Sequence, residues 1–199
     1  MRVWNGVAVP TVSPEDGRDF VPTMEAATGR ALRRRVRRGD DVAIVGGGRG
    51  ITTVIAARMT HFEGHVTTFE ANAAMLATIR RAVRVNRVAD LVTLEHAAVG
   101  PVTDHAAAEW GDPDGERRGP DAIPECDVLE LDCEGAERGI LQGLAVRPRA
   151  IVVEAHEPIG VPPEAVAGDL RELGYEVVDQ QPAGVDGELD ALTAVRDGA

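Results

Sequence analysis

Apolar positions recur along the chain in two patterns. Residues 41–45, 65–69, 91–95, 127–131 and 149–153 form short apolar runs of strand length. Between several of these runs the spacing lengthens to three and four. That spacing predicts helices over 51–60, 72–86 and 136–143, the second with Met75, Leu76, Ile79 and Val83 on one face. A leading helix is expected over 23–38, capped by Thr23, with Ala26, Ala27, Ala31, Leu32 and Val36 as a loose stripe and Gly39 after it. Pro162-Pro163 opens a further helix that Gly174 closes. Two last strands, 175–179 and 191–196, have no helix between them and should pair antiparallel.

Strands alternating with helices predict an α/β fold with a doubly wound, Rossmann-like sheet of seven strands ending in an antiparallel hairpin. One domain is expected over 1–199: an arm at 1–22, the leading helix at 23–38 and the core at 40–199. The arm has no period and holds Pro10, Pro14 and Pro22. Residues 100–125 are rich in Pro, Gly and Asp and read as a long surface loop with at most one helical turn. No internal repeat is visible.

Charge narrows the function. Acids outnumber bases by 33 to 21, a net charge of −12. This disfavours a protein that works by neutralising nucleic-acid phosphates or by docking on an anionic membrane. No uncharged stretch approaches the roughly 18 residues a membrane span needs. Glu15 and Asp16 precede any apolar run, so no signal peptide is expected and the expected location is the cytoplasm. Cys126 and Cys133 stand seven positions apart. If one strand carries most of that interval, they are too far apart to bridge, so both read as free thiols. All 21 basic residues are arginine. Lysine depletion with an acid excess predicts adaptation to concentrated salt, where self-repulsion is screened within a few ångströms.

In such sheets, ligands bind beyond the carboxyl ends of the strands. The first strand is followed by Gly46-Gly47-Gly48-Arg49-Gly50. These glycines let backbone N–H groups approach a ligand at a helix N-terminus, although a tight strand-to-helix turn also needs some of them. The spacing is not that of the dinucleotide fingerprint, which would place glycine where Ile51 stands. Glu70 ends the second strand, 20 residues after the last glycine, where an acid accepts hydrogen bonds from ribose hydroxyls. Asp132, Glu134 and Glu137 follow the fourth strand, and Glu154, His156 and Glu157 the fifth. Helix dipoles are reason enough for Glu137 and part of the reason for Glu134, but not for Asp132, Glu154 and His156. Glu154 and His156 would share one face if the strand continues. The run Arg33-Arg34-Arg35 reads as a solvated helix end, and Asp112, Asp114 and Glu116 as a solvated acidic loop. Trp110 is either a lid over the site or an anchor for that loop.

The chain resembles the FkbM-type methyltransferases in several segments. These are Gly46-x-Gly48-x-Gly50, Phe69-Glu70-x-Asn72, Asn86, Ala97-Ala98-Val99-Gly100, Asp132-x-Glu134-Gly135-Ala136-Glu137 with Leu141 and Gly143-Leu144, and Val153-Glu154-x-His156. The resemblance implies a class I S-adenosylmethionine-dependent enzyme that O-methylates a hydroxyl of a sugar or another small molecule. It implies a sheet ordered 3-2-1-4-5-7-6. S-adenosyl-L-methionine is then expected against Gly46, Gly47, Gly48, Gly50, Glu70, Ala71, Asn72, Ala98 and Asp132, and the acids and imidazole converging at the ends of strands four and five put catalysis on Asp132, with Glu134, Glu154 and His156 as helpers. The resemblance demands no metal, although the same carboxylates and imidazole could hold a divalent cation. The chain departs from the class pattern at Ile44, where an acid is usual, at Ala71, where proline is common, and at Glu130, where lysine is common. Two other readings compete: a cofactor-binding module without catalysis, and a nicotinamide-dependent oxidoreductase.

Overall fold

A computed structural model describes residues 1–10, 24–184 and 187–196. The centre is a sheet whose parallel strands are β3 (Val42–Val45), β4 (Val66–Glu70), β5 (Val92–Val99), β6 (Glu116–Arg118), β7 (Val128–Leu131) and β8 (Ala150–Ala155). A hairpin of β9 (Tyr175–Ala183) and β10 (Leu189–Arg196) completes it, with β10 antiparallel to β8. The order is β6-β5-β4-β3-β7-β8-β10-β9. The expected sheet of seven strands is thus corrected to eight, the addition being β6 at the edge beside β5.

The central strands are apolar on both sides because helices cover both faces. Val42, Ile44, Val66, Val128 and Val152 meet α1 (Ala26–Arg35), α2 (Ile51–Met59) and α3 (Ala73–Val85) through Leu32, Ile55 and Ile79. Val45, Leu129, Leu131, Ile151 and Val153 meet α5 (Glu137–Gln142) and α6 (Pro163–Glu172) through Ile140, Leu141, Val166 and Leu170. Asn72 caps α3 by accepting from the N–H groups of Ala74 and Met75. The leading helix is shorter than expected. Glu25, in the left-handed region at φ 54°, precedes its first turn. The expected cap Thr23 and most of the arm (11–22) lie outside the described residues.

The start of the arm is ordered. β1 (Arg2–Trp4) and β2 (Val7–Val9) form a hairpin around Asn5-Gly6, both at positive φ, as a two-residue turn of the primed type requires. Trp4, Val7 and Val9 are buried against the α2–α3 layer. The Asn86 side chain joins β2 like a short strand: its Oδ1 accepts from the Ala8 N–H and its Nδ2 donates to the Ala8 carbonyl.

The long loop expected over 100–125 is corrected too. It holds α4 (Asp104–Trp110), β6 and a 3-10 turn at Pro120–Ala122. Thr103 caps α4 through the Ala106 N–H. Cys126 and Cys133 are free, as expected.

Candidate functional site

The carboxyl ends of β3, β4, β5 and β7 open onto one cleft. Its floor is the loop after β3, and the four glycines there do different work. A Cβ on Gly46 would lie 1.7 Å from the Asp132 carbonyl oxygen, and Gly46 has φ 92°. This glycine lets the β3 and β7 loops touch. A Cβ on Gly47 would strike Ile79 and Thr68 at 2.6 Å, and one on Gly50 would press on Ile79 at 3.2 Å. Those two serve packing and do not line the cleft, contrary to the expectation that the whole run cradles a ligand. Gly48 is different. A Cβ there would meet nothing nearer than Glu25 at 3.9 Å, and Gly48 lines the cleft.

Glu70 is 7% exposed at the end of β4. Its Oε2 accepts from the Gly48 N–H at 2.9 Å and its Oε1 from the Asn72 N–H at 2.8 Å. Burial pushes its pKa up, while the N–H groups of Asn72, Gly48 and Ala71 work against that rise. Ala71 and Asn72 line the cleft beside it, and Ala97, Ala98 and Val99 form an apolar wall from β5. The Ala71 carbonyl also accepts from Asp114 and Gly115, and Asp114 receives the Ala73 N–H and lies 3.0 Å from His96. Asp114 therefore pins this segment instead of belonging to a freely solvated acidic loop.

A second group stands where β7 and β8 end. Asp132, Glu134 and His156 come together there. His156 Nε2 lies 3.6 Å from Asp132 Oδ1 and 3.3 Å from Glu134 Oε2, and its Nδ1 lies 3.1 Å from Glu137 Oε1. Glu134 and Gly135 both take positive φ, which turns the chain sharply between β7 and α5. Glu137, fully buried, accepts from the N–H groups of Cys133 and Gly135. Trp110 Nε1 donates to Glu134 Oε1 at 2.9 Å, and the Asn72 side chain holds the Trp110 carbonyl. Trp110 thus lines the cleft and also ties α4 to its floor, so it is an anchor.

Charge is crowded here. Burial disfavours a charged His156, but Glu137, Asp132 and Glu134 outweigh it and push its pKa up to about 10. Burial, with Glu134 and Glu137 adding to it against the pull of His156, pushes Asp132 up to about 7. Glu154 rises to about 9 through burial and Asp132. It faces a neighbouring cleft with Glu25, Arg30 and Ala183, so of the four expected catalytic residues it stands apart. Glu130 is fully buried two positions before Asp132 and rises well above the usual carboxylate range through burial and the charges around it. Burial also pushes the Cys133 and Cys126 thiols up, Cys126 to about 12, which keeps them unreactive.

The sequence reading missed Glu25. It borders both clefts, its Oε2 accepts from the Thr52 N–H at 3.2 Å, and burial with Asp132 nearby raises it to about 8. Nothing in its local pattern marks it, because it enters the site from an irregular turn ahead of α1. His105, 3.5 Å from Glu134, was missed for a similar reason: α4 itself was not foreseen.

No family model matches this sequence, and no curated protein matches it. Solved structures do match the fold. The chain is similar to an S-adenosylmethionine-dependent O-methyltransferase from Thermotoga maritima, at 16% identity over 91% of this chain and 68% of that one, with a TM-score of 0.61. It is similar to a ribosomal protein L11 methylase from Lactobacillus delbrueckii subsp. bulgaricus, at 14% identity over 89% and 80%, TM-score 0.58. A third is a methyltransferase from Geobacter sulfurreducens in complex with S-adenosyl-L-homocysteine, at 20% identity over 87% and 73%, TM-score 0.55. The chain has the α/β Rossmann-like fold of class I S-adenosylmethionine-dependent methyltransferases.

Proposed function

We propose that this protein is an S-adenosyl-L-methionine-dependent methyltransferase of the FkbM type that O-methylates a hydroxyl of a small molecule. The observation that carries the reading is Glu70 beside Gly48. A carboxylate fixed by two backbone N–H groups faces a cleft, next to the one glycine of the loop with open space in front of it. Its spare lone pairs suit the two hydroxyls of a ribose, and the wall of Ala97, Ala98 and Val99 suits a flat base. The residues present therefore fit the cofactor, with Asp132 and Glu134 on the far side of the cleft. Bound there, S-adenosyl-L-methionine supplies a methyl group on a sulfonium, open to displacement by an acceptor oxygen. The chain's task is to align the acceptor and exclude water. Asp132, raised to about 7, is placed to take the acceptor's proton, and His156, raised to about 10, stands beside it as a cation that favours the Asp132 carboxylate. Similar folds include a protein methylase as well as an O-methyltransferase, so fold alone does not choose the acceptor. The net charge of −12 favours a small molecule over a nucleic acid. Among the described residues, no helix is long and apolar enough to cross a membrane.

Calorimetric titration with S-adenosyl-L-homocysteine and with NAD tests the reading. Binding of the first and not the second is expected. Preference for NAD would return the oxidoreductase reading, and cofactor binding without turnover on any hydroxyl compound would favour a non-catalytic module.

A further inference from the structure

We infer that Asp132, Glu134 and His156 form a binding site for a divalent first-row transition metal. One oxygen from each carboxylate and the imidazole Nε2 lie within 4.8 Å of one another. The spacing is informative. His156 Nε2 is 3.3 and 3.6 Å from the two carboxylate oxygens, beyond the roughly 2.7–3.2 Å of an N–H···O hydrogen bond. Two donors each about 2.1 Å from a shared cation stand about 3.4 Å apart at the tetrahedral angle. Each carboxylate is thus spaced from His156 as a fellow ligand more than as a hydrogen-bond partner.

His156 supplies an independent observation. It is 3% exposed, turns Nδ1 to Glu137 at 3.1 Å, and aims Nε2 between the two carboxylates. With one ring nitrogen on Glu137, the other is left for whatever sits between Asp132 and Glu134.

The surroundings orient the donors. Glu137 faces the opposite ring nitrogen at 3.1 Å and keeps a hydrogen on Nδ1, so a cation that displaces the Nε2 proton would meet that nitrogen's lone pair. The N–H groups of Cys133 and Gly135 hold Glu137 in place. The Trp110 indole occupies Glu134 Oε1 and leaves Oε2 facing His156. Two oxygens and one imidazole nitrogen suit Mn²⁺, Fe²⁺ or Zn²⁺ better than Ca²⁺ or Mg²⁺, which prefer all-oxygen shells. Three protein ligands leave positions open toward the cleft.

The metal's role rests on the methyltransferase reading, although its binding does not. In that role the cation holds the acceptor's hydroxyl oxygen and lowers its pKa. The O–H proton leaves to solvent, the oxygen's electron pair forms the new C–O bond, and the C–S bond breaks with its pair left on sulfur.

The test is Mn²⁺ binding to chelator-stripped protein, followed by electron paramagnetic resonance, with Zn²⁺ as competitor. One Mn²⁺ per chain is expected. Glu134→Gln and Asp132→Asn should each weaken it by at least about tenfold, while Asp121→Asn, in the 3-10 turn at Pro120–Ala122, leaves it unchanged. Circular dichroism verifies that each variant is folded. In the unmutated protein, Mn²⁺ should broaden the ring signals of His156 before those of exposed His61 and His65. This readout decides the matter should the variants fail to fold. Absence of stoichiometric binding, equal binding in both folded variants, or broadening that spares His156 would overturn the site. Calorimetry with S-adenosyl-L-homocysteine on the same stripped protein reports separately on the methyltransferase reading.

Discussion

Glu70 and Asp132 close the strands on either side of β3, one buried and one half-buried at the rim of one cleft, yet their surroundings are opposite. Glu70 receives two backbone N–H groups, from Gly48 and Asn72. Asp132 receives no hydrogen bond among the described residues and faces His156, Glu134 and Glu137. Burial raises both. What separates them is the number of donors aimed at each. A carboxylate fixed by main-chain N–H groups is a permanent acceptor, suited to hydroxyls. One that shares a crowd of acids with a single imidazole can exchange a proton or take a cation. The proposed function therefore assigns recognition to the first half of the cleft and chemistry to the second.

Breaking the second half should have the largest effect. Asp132→Asn or His156→Ala should lower turnover of a hydroxyl acceptor by about 10²–10⁴, with the dissociation constant of S-adenosyl-L-homocysteine near that of the unmutated protein. Equal losses in turnover and cofactor affinity would erase the division.

The seam between the halves is Gly46. Gly46→Ala places a Cβ against the Asp132 carbonyl in a backbone conformation that disfavours side chains. It should cost about 3 kcal/mol of stability, read as a lowered urea midpoint. Breaking the first half should be milder and specific: Glu70→Ala should weaken S-adenosyl-L-homocysteine binding at least about tenfold by calorimetry, with the fold intact.

The pH dependence sharpens the contrast further. Asp132, Glu25, Glu154 and His156 are raised to about 7, 8, 9 and 10, from ordinary values of 3.8, 4.5, 4.5 and 6.5. Between those limits the folded chain binds more protons than the unfolded one, so stability falls as pH rises. The urea midpoint of metal-free protein should be lower at pH 9 than at pH 6, and Glu154→Gln should flatten the slope. The smallest effect is expected from salt. With 33 acids against 21 arginines, the midpoint should rise above about 1 M salt, where the Debye length is near 3 Å. A midpoint indifferent to salt would remove the case for salt adaptation.

Much of this was legible in the sequence because it is local. Apolar runs bounded by glycine and asparagine predict β3, α3 and β7 within a residue or two, since period and capping act between near neighbours. Glu70 was legible as a strand-end acid a set distance beyond a glycine turn. The Asn5-Gly6 hairpin was legible too and was passed over among the prolines of the arm, although paired positive-φ residues between short alternating runs signal such a turn. β6 was not legible. Glu116-Arg117-Arg118 has no apolar period, and it is a strand only because the open edge of β5 supplies backbone partners.

The sequence by itself determined the alternation of strands and helices, the acidic surface, and the presence of Gly48, Glu70, Asp132, Glu134 and His156 at strand ends, because each follows from residue type and short-range spacing. Tertiary structure alone decided what those residues face. Glu134 and His156 are 22 positions apart, and their meeting depends on β7 lying beside β8 and on a left-handed turn at Glu134-Gly135. Three of the four loop glycines meet Asp132, Ile79 and Thr68, contacts from distant segments, whereas Gly48 keeps open space before it. Side-chain direction and partner are set by packing between elements far apart in the chain, and one-dimensional spacing carries no record of that packing.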